Sequence, residues 1–166
     1  IQLVRTPEDV RAVNVPDPEK VVYITQTTLS LVDCEEIVKA LYDRFPKIKA
    51  PHKPDICYAT SNRQSAVMAL VPEAELVLIV GDTESANSRR LRDIALKLGT
   101  PAYLIPDADA IANQWLAEVE VLLLSSGASV PEHLVDGVIA HLREQFACTV
   151  DERILVDEQV HFQLPI

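Results

Sequence analysis

Three turns in this chain gather hydroxyl and amide side chains where an apolar run gives way to a helical pattern. In the first, Val21-Val22-Tyr23-Ile24 leads into Thr25-Gln26-Thr27-Thr28-Leu29-Ser30. In the second, Leu76 to Val80 leads into Gly81-Asp82-Thr83-Glu84-Ser85-Ala86-Asn87-Ser88. In the third, Val119 to Leu124 leads into Ser125-Ser126-Gly127-Ala128-Ser129-Val130-Pro131. A short run of Val, Ile and Leu fits a buried parallel strand. A helix that starts at the carboxyl end of such a strand points unpaired backbone N–H groups outward. Ser, Thr and Asn add donors there without bulk, and such turns hold phosphate-like anions. Three of them point to a polyanionic small molecule.

The surplus of hydroxyls carries this reading. Ordinary N-capping uses one side chain, whereas Thr83, Ser85, Asn87 and Ser88 crowd a single turn. Arg89 and Arg90 follow and could steer an anion, although solvated helix charges need no ligand. Neither a phosphate-binding P-loop nor a G-x-G-x-x-G stretch is present, and four glycines leave little room for glycine-dependent nucleotide folds. The three cysteines Cys34, Cys57 and Cys148 follow no zinc spacing. Cys57 follows a proline-rich stretch and reads either as a metal or cluster ligand at a domain edge or as a space-filling thiol. Cys34 and Cys148 take the second reading. His52, His133, His141 and His161 show no metal-ligand pairing and read as structural or solvated.

Composition narrows the partners. The formal net charge of −10 over 166 residues opposes a nucleic-acid or anionic-membrane surface, which needs clustered Lys and Arg. It does not oppose a small anion held by neutral donors. No apolar run approaches the roughly 20 residues of a membrane span, and no secretory signal is visible. An odd cysteine count without such a signal points to the cytoplasm. The chain opens at Ile1 without Met, and Ile1-Gln2-Leu3-Val4 reads as a strand already under way. That suggests a piece whose natural start lies elsewhere, the alternative being a chain trimmed of a tag or arm.

The elements that must position these turns alternate between strand and helix. Thr6 caps a first helix with Pro7 in its first turn, and Lys20 to Thr25 follows as a strand. Ser30 caps a helix to about Phe45, with Leu31, Ile37, Val38, Leu41 and Phe45 on one face. Prolines and lysines over residues 46–55 mark a linker or domain boundary. Further helices are expected over 61–70, 85–98, 108–116 and 131–146, and strands over 76–80, 101–105 and 119–124. A terminal strand runs through Val160, Phe162 and Leu164. Gly99 ends the helix before it. This rhythm predicts an α/β fold with parallel sheets flanked by helices.

Four segments carry a family resemblance. They are Gln26-Thr27-Thr28-Leu29-Ser30, Asp55-Ile56-Cys57-Tyr58-Ala59-Thr60-Ser61-Asn62-Arg63-Gln64, Ser85-Ala86-Asn87-Ser88-Arg89-Arg90-Leu91 and Gly127-Ala128-Ser129-Val130-Pro131. In this order and at these separations they resemble the C-terminal half of the 4-hydroxy-3-methylbut-2-enyl diphosphate reductase (LytB/IspH) family. The resemblance covers essentially the whole chain.

The resemblance implies an α/β protein of three lobes around a 4Fe–4S cluster. It assigns residues 1–53 to part of the second lobe and 54–129 to the third. Residues 130–166 become a C-terminal helix and tail returning toward the N-terminal lobe, packed away from the third lobe's sheet. It implies an oxidoreductase of the non-mevalonate isoprenoid pathway. That enzyme removes a hydroxyl from an allylic diphosphate, giving isopentenyl and dimethylallyl diphosphate, with electrons from a protein such as ferredoxin or flavodoxin. By motif, Cys57 resembles a cysteine that holds the cluster. Ser85, Asn87 and Ser129 resemble residues that grip the diphosphate. Ala86 stands where a second Ser is common and offers its backbone N–H. Thr27 resembles the threonine near the substrate hydroxyl that orders proton delivery. The family's other cluster cysteines, histidines and proton-donating glutamate have no counterpart here. The resemblance therefore implies that these residues alone hold no cluster and turn over no substrate. A cluster-free diphosphate-binding module is the alternative.

Overall fold

The computed structural model describes residues 1–26, 31–51 and 56–155. Thr27, Thr28, Ser30, Asp55 and the expected terminal strand at 160–164 lie outside these residues.

The chain begins with helix α1, Pro7–Ala12. Its start follows the expected chemistry. Asp9 N–H donates to Thr6 Oγ1 at 3.1 Å and Thr6 N–H donates to Asp9 Oδ2 at 3.1 Å, a reciprocal cap. Helix α2 covers Leu31–Arg44 and packs on α1. Val10, Leu41, Phe45 and Ile48 form a small buried cluster between them. Arg44 locks the pair, donating from Nη2 to the Val13 carbonyl at 2.5 Å and from Nη1 to the Val10 carbonyl.

The strand expected over 20–25 does not form among the described residues. A single parallel bridge, Val22 to Lys49, stands in its place, and Val22 and Ile24 are 68% and 75% exposed. A strand needs a ladder along its length, and among the described residues the segment forms the one bridge to Lys49. Residues 1–4 are likewise without strand structure. The α/β class holds, but its sheet belongs to the second part of the chain.

That sheet has three parallel strands in the order β2-β1-β3. Helix α3, Tyr58–Leu70, leads into β1, Leu76–Val80. Helix α4, Ala86–Lys97, leads into β2, Ala102–Ile105. Strand β3, Leu122–Ser126, leads into α5, Glu132–Gln145. Strand β1 alternates between two cores. Val77 and Ile79 pack with Val67 of α3 and Leu91, Ile94 and Ala95 of α4. Leu76, Leu78 and Val80 pack on the other face with Ile105, Ile111, Leu116 and Val138. With both faces covered, all five residues of β1 are buried, as parallel strands require.

Four expectations need correction. Helix α3 starts at Tyr58, three residues early, because the chain turns directly into helix after Cys57. Residues 108–116 are not one helix but two short 3₁₀ turns, Ala108–Ala110 and Asn113–Trp115. The Asp107 carboxylate caps the first turn through Asp109 N–H at 3.0 Å. Ile111 and Ala112 then turn extended, which puts Ile111 and Leu116 into the core. Strand β3 lies later than 119–124 because Glu75 Oε2 takes the N–H groups of Glu120 and Val121, at 2.6 and 3.3 Å, before the ladder begins. Finally, α5 does not leave the sheet. Val138 is fully buried against β1, with Leu134, Val135 and Leu142 packed around it. Its apolar stripe has a large core surface to cover and covers it. Among the described residues two adopt positive φ: Gly99, at 92°, where the chain leaves α4, and Glu118, at 64°, in the exposed turn before β3.

Candidate functional site

The strand order decides where a ligand can sit. From β1 the chain crosses to β2 on one side, while β3 pairs on the other. Helix α4 leaves the carboxyl end of β1 toward one face of the sheet, and α5 leaves the carboxyl end of β3 toward the opposite face. Ligands of open parallel sheets bind in the crevice at such a switch point. The turns that occupy it are Gly81–Ala86 and Gly127–Pro131, two of the three singled out by composition.

The first of these turns is built by its own polar groups. Asp82 Oδ1 accepts from Glu84 N–H at 2.7 Å, and the Asp82 carbonyl accepts from Ser85 N–H at 3.0 Å. Ser85 is the N-cap of α4, accepting from Ser88 N–H at 3.3 Å. Arg89 folds back so that Nη1 donates to the Thr83 carbonyl at 3.0 Å, and it also approaches Glu84 at 3.9 Å. Arg89 therefore braces the loop rather than standing as a solvated helix charge. The first-turn N–H groups of Ala86 and Asn87 have no partner within the helix. The helix dipole makes this end attractive to an anion.

Asn87 is the informative side chain. It is 7% exposed and its Oδ1 has no hydrogen-bond partner. Buried amides are nearly always bonded, so this one fits a position where a ligand completes its bonding. A half-turn of the amide exchanges oxygen and NH₂, and the same position then presents donors to an anion.

The second turn closes through Val130 N–H to the Gly127 carbonyl at 3.1 Å. Ser129, at its tip, is exposed, as is Ala86, while Ser85 is half-buried. Gly127 is the residue after β3, and its N–H donates to the Val80 carbonyl at 2.9 Å. Ser126 pairs with Val80, the last residue of β1. The turns that carry Asn87 and Ser129 therefore spring from neighbouring strand ends at the same edge of the sheet.

Cys57 is the N-cap residue of α3 and its thiol is free and exposed. Because α3 is joined at its carboxyl end to the start of β1 by a short turn, it runs back along the sheet. Connectivity thus directs its N-terminus, with Cys57, toward the carboxyl edge of the strands. Two polar side chains on α3 escaped the composition reading: Thr60 is 3% exposed and Gln64 fully buried. They stand four apart, on one helix face. Their burial left little signal in the sequence, since the first half of α3 carries few apolar residues to mark its packed face. Thr27, outside the described residues, is the one expected site residue that has no described position.

Comparisons with known proteins give the chain's family. The model of the LytB protein family matches residues 1–143. The chain belongs to the LytB family. A Psychromonas ingrahamii relative named 4-hydroxy-3-methylbut-2-enyl diphosphate reductase is 46% identical over 165 residues, covering 99% of this chain and 52% of the relative. A Mycobacterium tuberculosis relative named 4-hydroxy-3-methylbut-2-enyl diphosphate reductase 1 is 46% identical over 163 residues, 98% of this chain and 50% of its own length. The solved structure of the Plasmodium falciparum E-1-hydroxy-2-methyl-but-2-enyl-4-diphosphate reductase superposes with a TM-score of 0.80 at 34% identity, over 85% of this chain and 44% of that one. The chain thus spans about half the length of the LytB relatives it matches.

The family resemblance implies an iron–sulfur cluster, and the residues can be tested against it. A cluster of this kind is held by several thiolates. Among the described residues no group of three or more His, Cys, Asp or Glu is gathered as metal ligands, and Cys57 stands as a free thiol. The described residues do not by themselves compose a cluster site. Among them no helix is long and apolar enough to cross a membrane.

Proposed function

We propose that these residues form the diphosphate-holding part of a 4-hydroxy-3-methylbut-2-enyl diphosphate reductase. The observation that carries this reading is the pair of hydroxyl-rich turns at adjacent strand ends, with Asn87, whose buried Oδ1 has no partner, in the first turn of α4. Ser85, Asn87 and Ser129 hold the diphosphate through side chains, and Ala86 through its backbone N–H. The missing hydroxyl at Ala86 costs one donor, while the helix N-terminus retains the field that favours an anion.

The reaction we assign to the whole protein removes the allylic hydroxyl as water and yields isopentenyl and dimethylallyl diphosphate. It consumes protons and electrons. Thr27 orders the proton delivered to the departing hydroxyl. Cys57 contributes one thiolate to a 4Fe–4S cluster completed by ligands outside the described residues, and a small electron-transfer protein of the ferredoxin or flavodoxin kind supplies the electrons. We keep the lobe boundary near residue 53, where one buried cluster ends at Ile48 and the sheet-bearing unit starts at Tyr58. Three cysteines outside any disulfide support a cytoplasmic location.

Titrating the 166-residue chain with inorganic pyrophosphate, followed by amide chemical shifts, tests the reading. Saturable shifts concentrated at residues 85–88 and 127–130 are expected. Shifts absent there, or spread over the surface, would remove the basis for the assignment.

A further inference from the structure

One hydroxyl in the crowded α4 turn has no role in the reading above. Ser88 is 1% exposed and its Oγ has no hydrogen-bond partner. It sits between two glycines that follow two different strands. A Cβ built on Gly81 would stand 2.3 Å from Ser88 Oγ and 2.8 Å from Ser88 Cβ. A Cβ built on Gly127 would stand 2.3 Å from the same oxygen. Neither glycine has a left-handed φ, so the positions call for the absence of a side chain rather than for conformational freedom. Both backbones are also fixed. Gly81 N–H donates to the Ile105 carbonyl at 2.8 Å and Gly127 N–H to the Val80 carbonyl at 2.9 Å. The Ser88 side chain is therefore clasped by two backbone segments that extend the sheet's own ladder.

We propose that Ser88 is a positioning residue: its clasp between Gly81 and Gly127 sets the gap between the first turn of α4 and the Gly127–Val130 turn. That gap fixes how far Asn87 stands from Ser129. A ligand with two phosphoryl groups must meet both turns at once, so its affinity depends on the gap. A single phosphate can be held by one turn and does not depend on it. The functional half of this inference rests on the diphosphate reading; the clasp rests on geometry alone.

A size exchange tests it in the 166-residue chain, using inorganic pyrophosphate and inorganic phosphate as probes. Gly127→Ala drives a methyl into Ser88 Oγ, and Ser88→Gly empties the space it needs. Gly127→Ala is expected to weaken pyrophosphate binding by about tenfold and leave phosphate binding within about twofold, while the double variant returns pyrophosphate affinity to within about threefold of the parent. The ligand-free amide shifts of Asn87 and Ser129 should move in Gly127→Ala and return in the double variant. Ser88→Thr, which overfills the clasp from the other side, should give the same split between the probes, and it serves if Gly127→Ala does not fold. Loss of both probes together would mean a merely structural role and overturn the proposal. So would effects of the two substitutions that simply add. If the parent chain binds no pyrophosphate, the diphosphate reading fails, and the ligand-free shifts and melting temperatures of the same variants still decide whether the clasp exists.

Discussion

At the scale of single residues, the site depends on a few side chains whose surroundings leave them unfinished. Asn87 is buried with an unmet oxygen. Leaving such a group unbonded costs about 1–3 kcal/mol, and a bound anion would complete it after the amide turns. Asn87→Ala is therefore expected to weaken pyrophosphate binding by about 1–3 kcal/mol, read by calorimetric titration. An unchanged affinity would show that the amide faces the protein rather than the ligand. Ser129 and Ala86 are exposed, so their contribution rests on geometry at the moment of binding. Residue types alone made this turn legible, because four hydroxyl and amide side chains exceed what one cap can use. The same reasoning passed over Thr60 and Gln64, since a polar residue inside a helix gives no sign of its burial until the helix's packed face is known.

At the scale of elements, local chemistry was read well and non-local pairing was not. Five aliphatic residues in a row placed β1 without error, because a strand covered on both faces needs no alternation. Thr6, Pro7 and Asp9 announced α1, since a cap is made by near neighbours. The segment at 20–25 has the same apolar character but forms a single bridge among the described residues, and no local pattern reveals how far a run will pair. Residues 108–116 misled for a different reason. Their apolar spacing mimics a helical face, and the Asp107 cap starts a turn, yet the core draws Ile111 down and breaks the helix. The last helix is the sharpest correction, and it can be measured. Val138→Ala removes buried methyl groups against β1 and is expected to destabilise the sheet-bearing unit by about 1–3 kcal/mol in urea unfolding. A helix standing off the sheet would show almost none of this.

At the scale of the whole molecule, the described residues form a sheet-bearing unit with two cores and a smaller helical cluster. Ile1, Leu3, Val22 and Ile24 remain prominent apolar residues on the latter's surface. The family and the α/β class were legible from four short segments because each combines chemistry with a place in the chain. A cluster is suggested only by the resemblance, since a lone thiol says nothing about what else approaches it. Under the proposal, the 166-residue chain should bind well under one iron–sulfur cluster per chain and Cys57 should react promptly with a thiol reagent in the native state. Iron analysis and thiol titration check both. Stoichiometric iron would mean that the ligands have been misread. Adding the half of the LytB relatives that this chain does not span should bring iron up and protect Cys57 from the reagent.

Strand β1 has a neighbour on each side and a core on each face. Its amide protons can therefore meet solvent only when β2, β3 and the helices on both faces let go together. Hydrogen–deuterium exchange at Leu78 and Val80 should then be the slowest in the chain, and its free energy should equal that of global unfolding of the unit. Gly81 follows directly from this strand, and Gly127 is bonded to its last carbonyl. The turns proposed to hold the diphosphate thus hang from the part of the molecule that opens last. Their amides should exchange far more slowly than those of an ordinary surface loop, with no ligand present.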